Sequence, residues 1–353
     1  MEDKARATRF HKQKGGSRSA MDSQVSDCLP PSIAYLQSNC LLEKNKSIDI
    51  SNSDVTEILE RLNLLVNLSC QSASLDPLNV AQKNGDYRRE RSQINVFVQT
   101  PFGEFKSTIF RSIQGCYPAV TMTDVSFPKL VGSFDIESRT VVPSACWEYR
   151  KKTIILDEFH FRQGIINALL GLMEGGEYNR AIARGLAKST TKKDGDLYFK
   201  CSKTGWIKVK TRFNCIIGTM HNVIHNPHVT YDALISRCIP VFYRLSPSDF
   251  KEILEGERQL FTPLTFASDP LTHIEWRDVE YVWSIVENSC LGQYQHLHNL
   301  IARTIGDLLR CFSILGKHDP DLYEFVIAMK SHLPNVRWLS QRAHGKAKRL
   351  VYP

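Results

Sequence analysis

Lys106 lies in the segment Thr100-Pro101-Phe102-Gly103-Glu104-Phe105-Lys106-Ser107-Thr108, after an apolar run, Ile94 to Val98, and before a stretch with helical character. Strand, tight loop and helix N-terminus in that order let backbone N–H groups and one ammonium group hold phosphates. Further along, the run Thr153-Ile154-Ile155-Leu156 ends in two adjacent carboxylates, Asp157 and Glu158. A buried strand with that tip can offer the aspartate, together with Ser107, to Mg²⁺ and the glutamate to an attacking water. The two segments together predict binding and hydrolysis of a nucleoside triphosphate.

The loop departs from the usual pattern G-x-x-x-x-G-K-[ST]. Thr100 and Phe105 stand where glycines are expected, while Gly103, Lys106 and Ser107 are kept. A Cβ at position 105 restricts the backbone where it must turn closely around phosphate.

Three further groups of residues extend the chemistry. The strand Phe213 to Gly218 runs into Thr219-Met220-His221-Asn222, so Thr219, His221 or Asn222 can sense a terminal phosphate or the attacking water. The sequence does not choose among them. Arg237, in Ile235-Ser236-Arg237 just ahead of a strand, is placed to reach a neighbouring subunit's terminal phosphate, where a guanidinium stabilises charge developing during phosphoryl transfer. Arg303 and Arg310 lie seven apart on a helical stretch, near one face, and either can approach phosphate as a lid closes.

These residues require a scaffold, and the apolar pattern supplies one. Residues 94–98, 153–157, 213–219 and 239–243 read as continuous apolar strands separated by helices, the pattern of a parallel sheet covered on both faces. After about residue 246 the spacing becomes helical, in Val279 to Ile285, Leu297 to Ile314 and Leu322 to Met329. Ahead of the strands, residues 1–50 read as a flexible basic arm, most basic and Ser-rich over 1–30. Residues 51–92 read as a small helical segment and linker, with an amphipathic helix from Val55 to Leu68 and a polar stretch at 71–92.

Composition narrows the class. With 42% hydrophobic and 23% charged residues, and neither a bilayer-spanning apolar run nor a signal-peptide core, the chain reads as an intracellular, cytoplasmic protein without a membrane partner. Its ten cysteines include no C-x-x-C pair and read as reduced thiols. The net charge of +8 permits a polyanionic partner. Residues 188–212 carry eight basic residues against two acidic ones, interleaved with Tyr198, Phe199 and Trp206. Lysines there can neutralise phosphates while the rings stack on bases. Leu197 to Lys200 and Trp206 to Lys210, flanking Ser202-Lys203-Thr204-Gly205, read as a hairpin.

The order of parts resembles an AAA+ ATPase, and more narrowly the motor domain of the MCM (minichromosome maintenance) replicative helicases. That family's phosphate loop also carries a non-glycine residue before its lysine, a small one where this chain has Phe105. Leu156-Asp157-Glu158-Phe159-His160 is similar to its second motif, Ile235-Ser236-Arg237 to its trans-acting arginine motif, and Arg303, Leu308 and Arg310 to its sensor-2 helix. Its two β-hairpin inserts match Val120 to Val142, around Lys129, and the hairpin at 197–210. The resemblance covers residues 93–315 and implies an AAA+ P-loop NTPase fold: a parallel-sheet core at 93–246, then a helical lid and tail at 247–353.

It further implies ATP and Mg²⁺ as cofactors, with Thr100 to Thr108 around the nucleotide and Ser107 and Asp157 on the metal. Glu158 acts on the water, Arg237 acts from the next subunit, and Arg303 acts from the lid. Lys129, Lys200, Lys203, Lys208 and Lys210 face DNA, single- or double-stranded, inside a homo-hexameric ring. Replication or loading proteins and, for a replicative protein, the nucleoid follow from the same resemblance. The family's N-terminal oligonucleotide-binding domain has no room ahead of residue 93, which implies a compact relative. Two other readings compete: an AAA+ ATPase that remodels protein assemblies, and a nucleotide-binding scaffold with a degenerate phosphate loop.

Overall fold

The computed structural model describes residues 55–123, 125–135, 140–159, 162–181, 190–194, 197–202, 206–220, 233–266, 269–292, 298–331 and 333. The basic arm, His221, Asn222 and Lys203 lie outside the described residues.

Five strands form an all-parallel sheet between helices: β3 (Val96–Thr100), β4 (Ala119–Met122), β7 (Thr153–Leu156), β12 (Cys215–Met220) and β13 (Ile239–Phe242). Their spatial order is β13-β3-β12-β7-β4. All of β3 and β7 is buried, which is why these segments read as unbroken apolar runs rather than alternating ones. β4 falls in the interval expected to hold only an inserted hairpin. It is instead an edge strand of the core, followed by the short helix α3 (Phe127–Val131) and the small hairpin β5 (Ser133–Asp135) and β6 (Thr140–Val142). Lys129 therefore sits, exposed, on α3 and not on a hairpin.

The amphipathic helix near the start runs Val55–Ser72 (α1), a turn longer than its apolar spacing predicts. Its last turn is tied to the sheet by polar contacts. Ser69 Oγ donates to the Ile94 carbonyl at 2.8 Å, Ile94 N–H donates to Ser72 Oγ at 2.9 Å, and Asn214 Nδ2 donates to Ser72 Oγ at 3.1 Å. The polar stretch at 71–92 is more structured than a linker. β1 (Leu78–Ala81) and β2 (Tyr87–Glu90) pair around a turn with Gly85 at φ 87°, and β14 (His273–Ile274) joins β1 in parallel. Asn84-Gly85 suits such a turn, and burial of Leu78, Val80 and Ala81 fixes the strand.

A four-stranded antiparallel sheet, ordered β8 (Glu177–Ala181), β11 (Trp206–Lys210), β10 (Leu197–Ser202), β9 (Thr190–Asp194), contains the hairpin read from the sequence and adds two flanking strands. It leaves the core through helix α5 (Gln163–Gly175), which ends at Gly176 with φ 62°. Thr211 N–H donates to the Gly176 carbonyl at 2.7 Å, and a Cβ on Gly176 would lie 2.4 Å from the Thr211 carbonyl oxygen. Only glycine satisfies both the left-handed backbone and that approach.

The remaining helices are α2 (Lys106–Cys116), α4 (Ala145–Glu148), α6 (Pro247–Leu254), α7 (Trp276–Asn288), α8 (His298–Leu315) and α9 (Pro320–Ser331). The last three coincide with the stretches of helical spacing. One buried carboxylate joins α8 to α9, and through Lys330 to the stretch just ahead of β13. Asp307 accepts from Arg310 Nη1 at 2.6 Å and from Lys330 Nζ at 2.5 Å, and Lys330, fully buried, also reaches the Ser236 carbonyl at 3.3 Å. Arg310 Nε donates to the Arg91 carbonyl at 3.0 Å, so Arg310 is held inside the fold. Asp307→Ala is expected to lower stability by about 3–5 kcal/mol, because two buried cations lose their counter-charge; the urea midpoint measures it.

Among the described residues no helix is long and apolar enough to cross a membrane. Cys70, Cys116, Cys146, Cys215, Cys238, Cys290 and Cys311 are free thiols. Burial pushes the Cys70 and Cys238 thiols up to about 12, which leaves them unreactive.

Candidate functional site

The segment 100–108 leaves the C-terminal end of β3, at the point where the sheet order reverses, which is where open α/β sheets gather their ligands. Gly103 has φ 86° and Phe105 has φ 59°, with Glu104 between them at negative φ. This alternation of left- and right-handed residues curls successive N–H groups toward one side, the arrangement that receives anions. It leads into α2, whose first turn has no side-chain cap and no acidic residue, so the positive end of the helix is uncompensated.

Phe105 can hold a strained backbone because its ring is packed. It lies 4.8 Å, centroid to centroid, from Phe250 on α6. That contact accounts for a large residue where the pattern expects glycine, at a backbone cost of about 1–2 kcal/mol. Glu104 is a strut of the loop. Its carboxylate accepts from Thr100 Oγ1 at 2.9 Å and Leu245 N–H at 3.0 Å, while its carbonyl accepts from the Tyr243 hydroxyl at 2.9 Å. Burial raises the pKa of the Tyr243 phenol and keeps that donor protonated. Thr100 and Glu104 thus shape the loop and face inward. Phe102 is 85% exposed at its tip.

Lys106 Nζ meets Asp157 Oδ1 at 2.6 Å, and Ser107 Oγ donates to Asp157 Oδ2 at 2.8 Å. The Lys106 and Asp157 side chains are about nine-tenths buried, at 9% and 10% exposure. Their strands are not neighbours: β12 runs between β3 and β7, so the lysine stem must cross a strand, a span of about 9–10 Å between the outer two. Gly218 makes the crossing possible. A Cβ there would lie 2.9 Å from Lys106 Cδ and 2.4 Å from Phe110 Cε2. Gly218 is a residue of this site that the motif pattern does not mark, although a glycine inside an apolar strand signals close approach. Gly218→Ala is expected to displace Lys106 from Asp157 and lower stability by about 1–3 kcal/mol, the usual cost of overpacking; the urea midpoint measures it.

Glu158 follows Asp157 with φ 52°, its N–H donating to Asp157 Oδ1 at 3.0 Å, and Phe159 N–H pins the turn to the Gly218 carbonyl at 2.9 Å. The outcome is an exposed carboxylate facing a cleft of about 250 Å³ lined by Pro101, Phe102, Gly103, Glu104, Phe105, Lys106, Ser107, Thr108 and Glu158. Among the described residues no cluster of three His, Cys, Asp or Glu side chains could hold a metal unaided. The donor set at hand, a serine hydroxyl beside a carboxylate, suits a hard cation that completes its shell with phosphate oxygens and water.

The other anticipated residues fall elsewhere. Thr219 is buried, with its hydroxyl lacking a hydrogen-bond partner. Because Gly218 faces Lys106, strand alternation turns Thr219 to the opposite face of the sheet. Arg237 and Arg303 do not line the cleft. Both bind Glu174, near the end of α5: Arg237 through Nη2 and Arg303 through Nη2 at 2.8 Å. The helix starts shortly after Glu158, and its eleven further residues carry Glu174 about 16 Å along its axis. Arg303 also donates to Ser236 Oγ at 3.0 Å. It therefore sits beside Arg237 and does not reach over the segment 100–108, where the resemblance places a lid residue.

On the antiparallel sheet, Lys208 and Lys210 alternate with the buried Ile207 and Val209. The register sets Lys200 opposite Lys208 and Tyr198 opposite Lys210. Lys208 Nζ pairs with Glu177 at 2.5 Å, and the hydrogen bond from Lys208 is the main cause of the lowered Glu177 pKa. Lys210 is exposed.

No family model matches the chain, and no curated protein matches it.

Proposed function

We propose that the protein is an ATP-hydrolysing motor of the AAA+ type, MCM-like, which assembles as a ring, most simply a hexamer, and translocates on or unwinds DNA. The observation that carries the reading is the convergence of Lys106 and Ser107 on Asp157, with Lys106, Ser107 and Glu158 lining one cleft. In this reading the loop N–H groups and Lys106 bind the β- and γ-phosphates, and Ser107 and Asp157 hold Mg²⁺, which supplies charge neutralisation on those oxygens when bound. Glu158 orients the attacking water and takes its proton. Arg237 has no counterpart in its own cleft, which favours its use on the nucleotide of an adjacent chain.

The reading is tested by ATPase turnover with and without single-stranded DNA. Wild type is expected to hydrolyse ATP faster with DNA, and Lys106→Ala to lose both rates. Turnover indifferent to DNA would favour protein remodelling, and ATP binding without turnover would favour a scaffold.

The DNA surface proposed is the lysine-bearing sheet, with Lys203 and Lys129 as further contacts. Charge reversal at Lys203 and Lys208 is expected to weaken DNA binding and reduce its salt dependence, each lost phosphate contact lowering the salt slope by about one. ATP hydrolysis without DNA is retained. Lys210→Glu serves as the companion variant, because Lys208 also holds Glu177 in place. An unchanged salt slope in both variants would remove this surface from the account.

A further inference from the structure

Arg237, Arg303 and Glu174 form a cluster in which two guanidinium groups share one carboxylate oxygen. The arginines are otherwise well anchored. Arg237 Nη1 donates to the Ala233 carbonyl at 2.6 Å, and Arg303 Nη1 to Ser236 Oγ. Ser236 is in turn buried and bound through its carbonyl to Lys330, beside Asp307. The two cations therefore stand on a firm base, with side-chain exposures of 11% and 28%, while the anion between them is 52% exposed. Arg237 Nε is buried and has no hydrogen-bond partner.

The charge balance within the cluster is incomplete: two positive groups face one negative group that water can reach. Partial burial works against ionisation of Glu174, but hydrogen bonds and charge from Arg303 and Arg237 outweigh it and keep its pKa low. Burial and the neighbouring Arg303 charge lower the pKa of Arg237, and Glu174 opposes this. A second anion with more charge and more acceptor oxygens would satisfy both guanidinium groups better than one carboxylate oxygen does. Within the same chain, the phosphate loop lies toward the other end of α5 from this cluster.

We propose that Glu174 is a stand-in anion: it holds Arg237 and Arg303 together in the isolated chain and yields them to the terminal phosphate of a nucleotide bound by an adjacent copy. This rests on the nucleotide reading above and specifies how the shared site is kept ready. Glu174 is a positioning residue with a competing charge, so each association of copies must first displace it. The price is a weaker ring; the gain is that two like charges remain poised side by side without splaying apart.

The experiment measures self-association by sedimentation in saturating ATPγS and Mg²⁺, comparing wild type, Glu174→Gln, Arg237→Ala and the double variant. Glutamine keeps an acceptor oxygen for the arginines but removes the competing charge. Glu174→Gln is expected to associate about tenfold more tightly, the effect of losing one charge-assisted hydrogen bond at a half-exposed site. The increase should vanish in the Arg237→Ala background. A carboxylate that only braces the fold predicts the opposite sign, weaker association. Equal or weaker association of Glu174→Gln, with ATPγS binding to single chains intact, overturns the stand-in role alone. Failure of wild type to bind ATPγS overturns the nucleotide reading, and this proposal with it.

Discussion

Glu158→Gln is expected to lower ATP turnover by about 10²- to 10⁴-fold, the usual contribution of a positioned general base, while leaving nucleotide affinity within a few-fold of wild type. The split follows from the geometry. In the function proposed, phosphate affinity comes from the loop, Lys106 and the Ser107–Asp157 pair, none of which depends on the Glu158 carboxylate; only its backbone N–H contacts Asp157. Glutamine keeps the size of the side chain and the left-handed backbone at this position, so the cleft retains its shape. Single-turnover hydrolysis alongside equilibrium binding separates the two quantities. Equal turnover in wild type and variant would remove Glu158 from the chemistry.

Arg237→Ala is expected to reduce turnover by about 10³- to 10⁵-fold, the range for an arginine that stabilises charge on a transferring phosphoryl group. Its diagnostic feature is the behaviour of mixtures. If each cleft is completed by an adjacent chain, variant subunits silence neighbours whose own loops are intact, and activity falls faster than the wild-type fraction. A strictly proportional decline across mixing ratios would show that every chain works alone. Wild-type activity per chain should also rise with protein concentration.

Much of this site could be read from residue types in order, because its parts lie at the tips of strands that announce themselves. Runs such as Ile94 to Val98 and Thr153 to Leu156 have no polar alternation, so their burial on both faces, and hence a parallel sheet, follows from composition alone. The meeting of Lys106 with Asp157 follows once loop and acidic strand are placed at the same edge. What escaped depends on contacts between distant residues. Gly218 matters only because Lys106 passes over it. Arg303 and Arg237 reach Glu174 across separations of 129 and 63 residues, and nothing local to Glu174 marks it. The strands Leu78–Ala81 and Tyr87–Glu90 were obscured by polar residues because β2 is largely exposed, leaving only the turn as a signal. Phe105 departs from the loop pattern in sequence, and only the distant Phe250 supplies the surface that holds its ring.

The buried carboxylate of Asp307 clamps α8 to α9, and Lys330 between them reaches the short stretch that carries Arg237. A hinge between the helical portion and the last sheet strand would have to strip the buried Lys330 ammonium of the Ser236 carbonyl and the Arg310 guanidinium of the Arg91 carbonyl. In the assembly proposed, nucleotide-driven movement would therefore be concentrated at the joints between subunits rather than between the sheet and the last helices.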